Sequence, residues 1–261
     1  MSASSATNRG ASSPRRDHHM PGLPTAVRRW RPGFLTSSRR VTLRRLLRPA
    51  PLGLLLRRGP VSRSWGFDRG LPIDRYFIER FLGLRSADIA GRVLEVKDDG
   101  YTRRFGGDAV TSAEVLDIDA GNPAATVIAD LTDAPQIADD SYDCVLLTQV
   151  LHLVYDMPSA VRECHRILKP GATLLVTMPA LSRCSGELQH SDFWRITPAG
   201  ARRLYGDVFG AENVEVLAYG NAVLGAAFLM GVASQEVGAR LLRQHDPLFP
   251  ILVTIRATKA R

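Results

Sequence analysis

Residues 126–177 read TVIADLTDAPQIADDSYDCVLLTQVLHLVYDMPSAVRECHRILKPGATLLVT, and their order of strand, acidic turn, strand, helix and strand decides the fold. An apolar run from Tyr142 to Thr148 is predicted to be a buried strand. After it, Met157, Ala160, Val161, Cys164, Ile167 and Leu168 recur at the spacing of a helix lying on a sheet. Asp156 is placed to cap that helix, Pro158 falls in its first turn, and Pro170-Gly171 is expected to stop it. Thr173 to Thr177 then reads as the next strand. A strand, crossover helix and strand in this order make a βαβ unit, so the sheet is parallel here.

Working upstream, Arg92 to Lys97 reads as a first strand and residues 98–112 as a loop. Second and third strands are expected near 114–118 and 126–129. Asp119 and Asp130 would end those two strands and lie only eleven positions apart, so no full helix fits between them. The helices after strands one and two are therefore expected to be trimmed. A helix from about Asp74 to Leu84 should bury Tyr76, Phe77, Ile78, Phe81 and Leu82. Downstream, Thr197-Pro198 opens a helix with Ala201, Leu204, Tyr205 and Val208 on one face. A strand over 213–219, helices over 222–232 and 235–244, and a last strand over 249–258 complete the reading.

Asp130, the turn IADDSYD, the strand end VLLTQVLHLV and the run RECHRILKPGATLLVT resemble the second half of a class I S-adenosylmethionine (SAM) dependent methyltransferase of the type 11 sort. The resemblance spans about residues 70–258. It implies an α/β, Rossmann-like seven-stranded sheet with strand seven inserted antiparallel, and SAM as cofactor. The chain departs from the family at the first loop. Family members carry E-x-G-x-G-x-G there, whereas Glu95 is followed by Val96 and then KDDGYTRRFGGD, which keeps only Gly100, Gly106 and Gly107. One reading is a lost cofactor site. The other is a working variant in which Asp98 or Asp99 accepts from the cofactor's ammonium, since SAM has no phosphate to be cradled by a glycine-rich helix start. A subgroup of bacterial methyltransferases with E-V/I-K-D-x-x-Y-T-R-R-F/Y-G resembles the chain at this loop and favours the variant.

The resemblance, with the rule that ligands bind at the carboxyl ends of strands in open α/β sheets, places the candidate site. Glu95 would lie under the methionine end, with Lys97, Asp98 and Asp99 in the loop around it. Asp119, with Asp117 as the alternate, would take the ribose, Asp130 and the Leu131 backbone the adenine, and Gln149 would lie beside the methyl group. On the acceptor side, His190 and Asp192 are the candidate catalytic pair, because histidine is the natural base near neutral pH. Trp194 offers a flat face to a sugar, and Arg195, His152, Tyr101 and Arg104 are candidate acceptor contacts. Against this stands the plainer arrangement in which Phe193 and Trp194 anchor the loop and Asp192 pairs with Arg195. TQVLH stands where many methyltransferases of nucleic-acid amino groups carry [D/N]-P-P-[Y/F], which argues against base methylation.

Charge is unevenly spread. Residues 1–63 hold fourteen arginines against Asp17 alone, a net of +13, so residues 64–261 carry −5 of the chain's +8. The pI of 9.9 therefore belongs to the arm, and no nucleic-acid partner follows from it. The chain is expected to divide into an Arg-rich, loosely structured extension over 1–59 and a methyltransferase-like domain over 60–261. Within the extension, residues 41–59 could form a basic amphipathic segment touching an anionic membrane surface. Cys144, Cys164 and Cys184 lie far apart without metal-ligand spacing, which fits reduced thiols, no metal and a cytoplasmic protein. The expected function is SAM-dependent methylation, at oxygen, of a small-molecule or saccharide acceptor. The alternative is a methyltransferase fold without activity, serving as a binding module in a larger, glycan-biosynthetic assembly.

Overall fold

A computed structural model describes residues 59–184, 186 and 188–261. The expected loose extension and its basic segment fall almost wholly on residues outside these. The described chain is organised on one sheet of seven strands: β1 (Gly91–Val96), β2 (Val110–Asp117), β3 (Val127–Ile128), β4 (Tyr142–Thr148), β5 (Leu168–Pro179), β6 (Val214–Tyr219) and β7 (Leu252–Thr258). Their order is β3-β2-β1-β4-β5-β7-β6. The first five run parallel, and β7 lies antiparallel between β5 and β6. This is the Rossmann-like methyltransferase sheet that the resemblance implies.

Alternation along β4 shows why both faces are covered. Cys144 and Leu146 face one side and Val145 and Leu147 the other, and all four are fully buried. On the first side lie helix α1 (Ile73–Leu84), with Phe77, Ile78, Phe81 and Leu82, and helix α4 (Ala222–Leu229), with Leu224 and Phe228. On the second lie α2 (Met157–Ile167), with Ala160, Val161, Cys164 and Ile167, and α3 (Pro198–Phe209), with Ala201, Tyr205 and Phe209. The cap is where the sequence puts it: Asp156 Oδ1 accepts from Ser159 N at 3.1 Å.

Boundaries differ where pairing overrides local signals. Helix α2 stops at Ile167, ahead of Pro170-Gly171, because Leu168 already pairs with Tyr142 across the sheet. Lys169 reinforces that register through Asp143 at 2.8 Å, and Gly171 takes up the irregularity at φ 82°. Strand β2 begins at Val110, and β3 shrinks to two residues. The 222–232 helix ends at Leu229, the 235–244 helix reduces to a turn over Ser234–Glu236 and the short α5 (Ala239–Leu242), and β7 starts at Leu252. The trimming is present: only wide and tight helical turns over Thr102–Gly106 and Gly107–Ala109 follow β1, and no helix separates β2 from β3. No described helix is long and apolar enough to cross a membrane.

Candidate active site

The carboxyl ends of β1, β2 and β4 open on one edge of the sheet. A cleft of about 1040 Å³ lies there, lined by Glu95, Lys97, Asp98, Asp117, Asp130 and Gln149, with an apolar floor from Val96, Leu116 and Leu131. Glu95, at 2% exposure, is buried beneath the first loop, and its Oε2 accepts from Thr102 N at 2.8 Å. Burial pushes its carboxyl up to about 7, against the opposing pull of that N–H bond. Its side chain thus ties the loop to the strand.

The glycine-poor bend keeps the path of a glycine. Lys97 sits at φ 80°, in the left-handed region that favours glycine, just where the family pattern has its first glycine. Asn122 holds the bend: its Nδ2 donates to Lys97 O at 2.8 Å and to Asp117 Oδ2 at 2.7 Å. The Lys97 side chain points to solvent, with Nζ 3.9 Å from Asp117. The bend therefore does not fill the hollow beside it. Asp98 caps the turn, accepting from Gly100 N at 2.9 Å, and lines the cleft.

The structure moves the placement of Asp119, Asp99, Tyr101 and Arg104. Strand β2 ends at Asp117, whose side chain is almost wholly buried at the cleft, so Asp117 and not Asp119 is the acid at that strand end. Asp119 lies beyond it, exposed, and closes a turn onto Gly121 N at 2.8 Å. Asp99 is drawn away by Arg103, with Arg103 Nε at 2.7 Å, and does not line the cleft. Asp130 and Leu131 do line it, while Asp130 also accepts from Thr132 N and Oγ1. Tyr101 and Arg104 belong to this cleft, not to the acceptor side, and Arg104 is held by Glu79 in a two-bonded pair.

A smaller chamber of about 210 Å³ adjoins the cleft and shares Phe67, Arg75, Gln149, Leu153 and Leu188 with it. His152, Asp192 and Arg195 line it. His152 O accepts from Phe193 N at 3.0 Å and Trp194 N at 3.2 Å, which zips residues 192–195 against the end of β4. This brings His152 Nε2 to 4.0 Å from Asp192 Oδ1. Burial pulls the imidazole down to about 4, with Asp192 opposing, so His152 is neutral at physiological pH. Its Nδ1 is buried with no hydrogen-bond partner among the described residues. Arg195 clasps Asp192 through Nη1 at 2.5 Å and Nη2 at 2.9 Å.

His190 is exposed and lines neither cavity, so the expected base is misplaced by its loop. Trp194 is likewise turned away: its indole N–H donates to Val154 O at 3.0 Å and Tyr155 O at 3.2 Å, and it lines neither cavity. The plainer arrangement of loop anchor and Asp192–Arg195 pair is the one observed. Sequence reasoning missed Trp65, Asp74, Arg75 and Arg183, which complete the chamber. They come from segments far apart in the chain, and no spacing rule joins them.

Comparison with known proteins adds one family-model match, over part of the chain. The type 11 methyltransferase domain model matches residues 105–176. Over those residues the chain is similar to a methyltransferase domain, on a sheet of the Rossmann-like methyltransferase order. The match begins at Phe105, just beyond the glycine-poor bend, and runs into β5 as far as Val176. No curated protein matches the sequence. Similar solved structures include a SAM-dependent methyltransferase from Archaeoglobus fulgidus, 12% identical over 71% of this chain and 94% of that one, TM-score 0.48. Another is phosphoethanolamine N-methyltransferase 2 of Haemonchus contortus in complex with phosphomonomethylethanolamine and S-adenosylhomocysteine, 11% identical over 77% and 61% of the two chains, TM-score 0.46. A third is the [4+2]-cyclase SpnF, 19% identical over 72% and 80%, TM-score 0.44. The match to a methyltransferase domain makes SAM the cofactor to test against the cleft. The residues present fit it: the cleft has a volume suited to a ligand of that size, an apolar floor, and the acids Glu95, Asp98, Asp117 and Asp130 to receive a cationic molecule.

Proposed function

We propose that residues 60–261 transfer a methyl group from SAM to an oxygen of a small polar acceptor held in the chamber. The observation that carries the reading is the meeting of the two cavities at Gln149, which puts a cofactor-sized cleft and a histidine-bearing chamber on either side of one strand end. Asp117 takes the ribose hydroxyls, Asp130 and Leu131 the adenine edge, and Glu95 with Asp98 the amino-acid end. When bound, SAM supplies a methyl on a sulfonium, so that its C–S bond breaks as the new O–C bond forms and S-adenosylhomocysteine leaves. Holding the acceptor in line contributes roughly 7–11 kcal/mol. His152, neutral at the chamber wall, receives the hydroxyl proton, a role worth roughly 10² to 10⁴ in rate. Asp192, clasped by Arg195, stands 4.0 Å from His152 to stabilise the imidazolium that results. Trp194, whose flat face was the expected sugar contact, lines neither cavity, and the acceptor is assigned as a small hydroxyl-bearing molecule. Titration calorimetry of the full chain with SAM and with S-adenosylhomocysteine tests the reading. Micromolar binding that is lost in Asp117→Ala supports it. Silence at millimolar SAM overturns it in favour of the inactive binding module.

A further inference from the structure

Among the described residues, three arginines, Arg75, Arg183 and Arg195, line the 210 Å³ chamber against two acids, Asp74 and Asp192. They are not equivalent. Arg195 is occupied by Asp192 and also donates to Trp194 O and Arg183 O. Arg183 is held but not saturated. Its guanidinium lies 3.5 Å from the centre of the Trp65 ring, and Nη1 reaches only Cys184 O at 3.3 Å. Its Nε is buried with no hydrogen-bond partner among the described residues. A buried guanidinium N–H left unpaired is costly, and such a vacancy marks a place where a ligand acceptor fits. The backbone strains to build this platform: Trp65 takes φ 55°, Gly66 follows at φ 97°, and the indole N–H reaches Ser182 Oγ at 3.4 Å. Arg75 faces both cavities, and among the described residues its guanidinium makes one hydrogen bond, a long one of 3.4 Å to Tyr101 Oη.

We infer that the chamber selects acceptors carrying a carboxylate, with Arg183 gripping the carboxylate edge and Arg75 closing on it from the cleft side. This rests on the proposed methyl transfer only for the word acceptor; the anion subsite is read from the chamber itself. Among the described residues, Asp192 is answered by Arg195, while Arg75 and Arg183 face Asp74, whose carboxyl is pushed up by burial towards its neutral form, so the lining is cationic on balance. The planar fork of a guanidinium matches a carboxylate through two parallel N–H bonds. Trp65 presses the fork flat, which lowers the entropy lost on binding.

The test uses the full-length protein, with and without S-adenosylhomocysteine, titrated by ligand-observed NMR. The probes are paired small carboxylates and their primary amides: glycolate, lactate, 3-hydroxypropionate and 4-hydroxybenzoate. At least one carboxylate is expected to bind roughly 10- to 100-fold tighter than its amide, the range of a charge-assisted pair. Arg183→Gln should reduce that preference to within about threefold while leaving SAM affinity unmoved, since Arg183 lines the chamber and not the cofactor cleft. No pair discriminated, or discrimination surviving in R183Q, overturns the inference. Inorganic phosphate displacing the best carboxylate at lower concentration replaces the monoanion with a phosphate-bearing ligand and also overturns it. If wild-type protein fails to bind SAM but prefers carboxylates, the methyl-transfer reading falls and the anion subsite stands.

Discussion

The cofactor cleft and the acceptor chamber share a wall yet are built by opposite means. The cleft is made from strand ends: Glu95, Asp117 and Gln149 stand at or beside the last residues of β1, β2 and β4. Its geometry follows from the sheet, so a changed loop sequence leaves it open. The chamber is made from side chains of three distant segments, around Trp65 to Arg75, Gln149 to Leu153 and Pro179 to Arg195. Its geometry depends on backbone bonds between those segments, such as Phe193 N to His152 O at 3.0 Å. Donor binding and acceptor chemistry should therefore be separable by mutation.

The sharpest break comes at His152. His152→Gln is expected to lower methyl transfer by roughly 10² to 10⁴ while SAM affinity moves less than about threefold. His190→Gln, on the exposed loop, should change turnover less than about twofold. Labelled-methyl transfer assays together with SAM titration read both. If SAM affinity falls as far as turnover in H152Q, the two cavities act as one and the comparison fails.

The two sites also titrate in opposite directions. Glu95 is raised by burial from 4.5 to about 7, so its neutral form suits the folded state. The stability it carries is complete below about pH 4.5 and is lost as pH rises through 7. His152 is lowered from 6.5 to about 4, so its contribution is present above 6.5 and lost as pH falls through 4. Each shift corresponds to about 3 kcal/mol over its full range. Urea midpoints should show Glu95→Gln flattening the alkaline limb relative to wild type, by about 2–3 kcal/mol between pH 5 and 8, and His152→Gln flattening the acid limb. A single variant that flattens both limbs would mean the groups are coupled across Gln149.

Within the cleft, Asp117→Ala should weaken SAM by roughly 10- to 100-fold, the loss of charge-assisted bonds at a buried carboxylate, and Asp119→Ala by less than about twofold. Calorimetry would reverse the assignment if Asp119→Ala proved the more damaging.

Legibility follows the same division. The β4–α2–β5 unit could be read because its period, cap and strand composition agree: Asp156 caps, and the Ala160, Val161, Cys164 and Ile167 stripe is buried. The helix end was misplaced because strand pairing at Leu168, a non-local force, ended the helix before the proline. The strand-end acid was misplaced by two residues because strand termini depend on partners. Asp117 pairs with Ile128 and receives Asn122, and neither contact is a local signal. The sequence marks His152 only as a candidate acceptor contact. Its neighbour Asp192 is forty positions away, and only the fold brings Asp192 and Arg195 to it. Trp65, Asp74, Arg75 and Arg183 carry no periodicity that separates them from ordinary loop and helix residues.

The smallest expected effect bears on how a glycine-poor bend keeps a glycine's path. Lys97 at φ 80° pays the steric cost of a side chain in the left-handed region, about 1–2 kcal/mol. Lys97→Gly removes that cost but frees the unfolded chain by about 0.4–1 kcal/mol. Its exposed 3.9 Å pairing with Asp117 contributes little in water. The variant should thus gain from nothing to about 1 kcal/mol in urea denaturation, with SAM affinity unchanged, because Asn122 and not the lysine side chain holds the bend. Asn122→Ala should then do what Lys97→Gly does not. Released from Lys97 O and Asp117 Oδ2, the bend loses both anchors, and SAM binding should weaken while the chamber's preference among acceptors persists. A Lys97→Gly variant that loses SAM affinity would place the ammonium itself in the cleft and make the cleft, like the chamber, a site assembled from side chains.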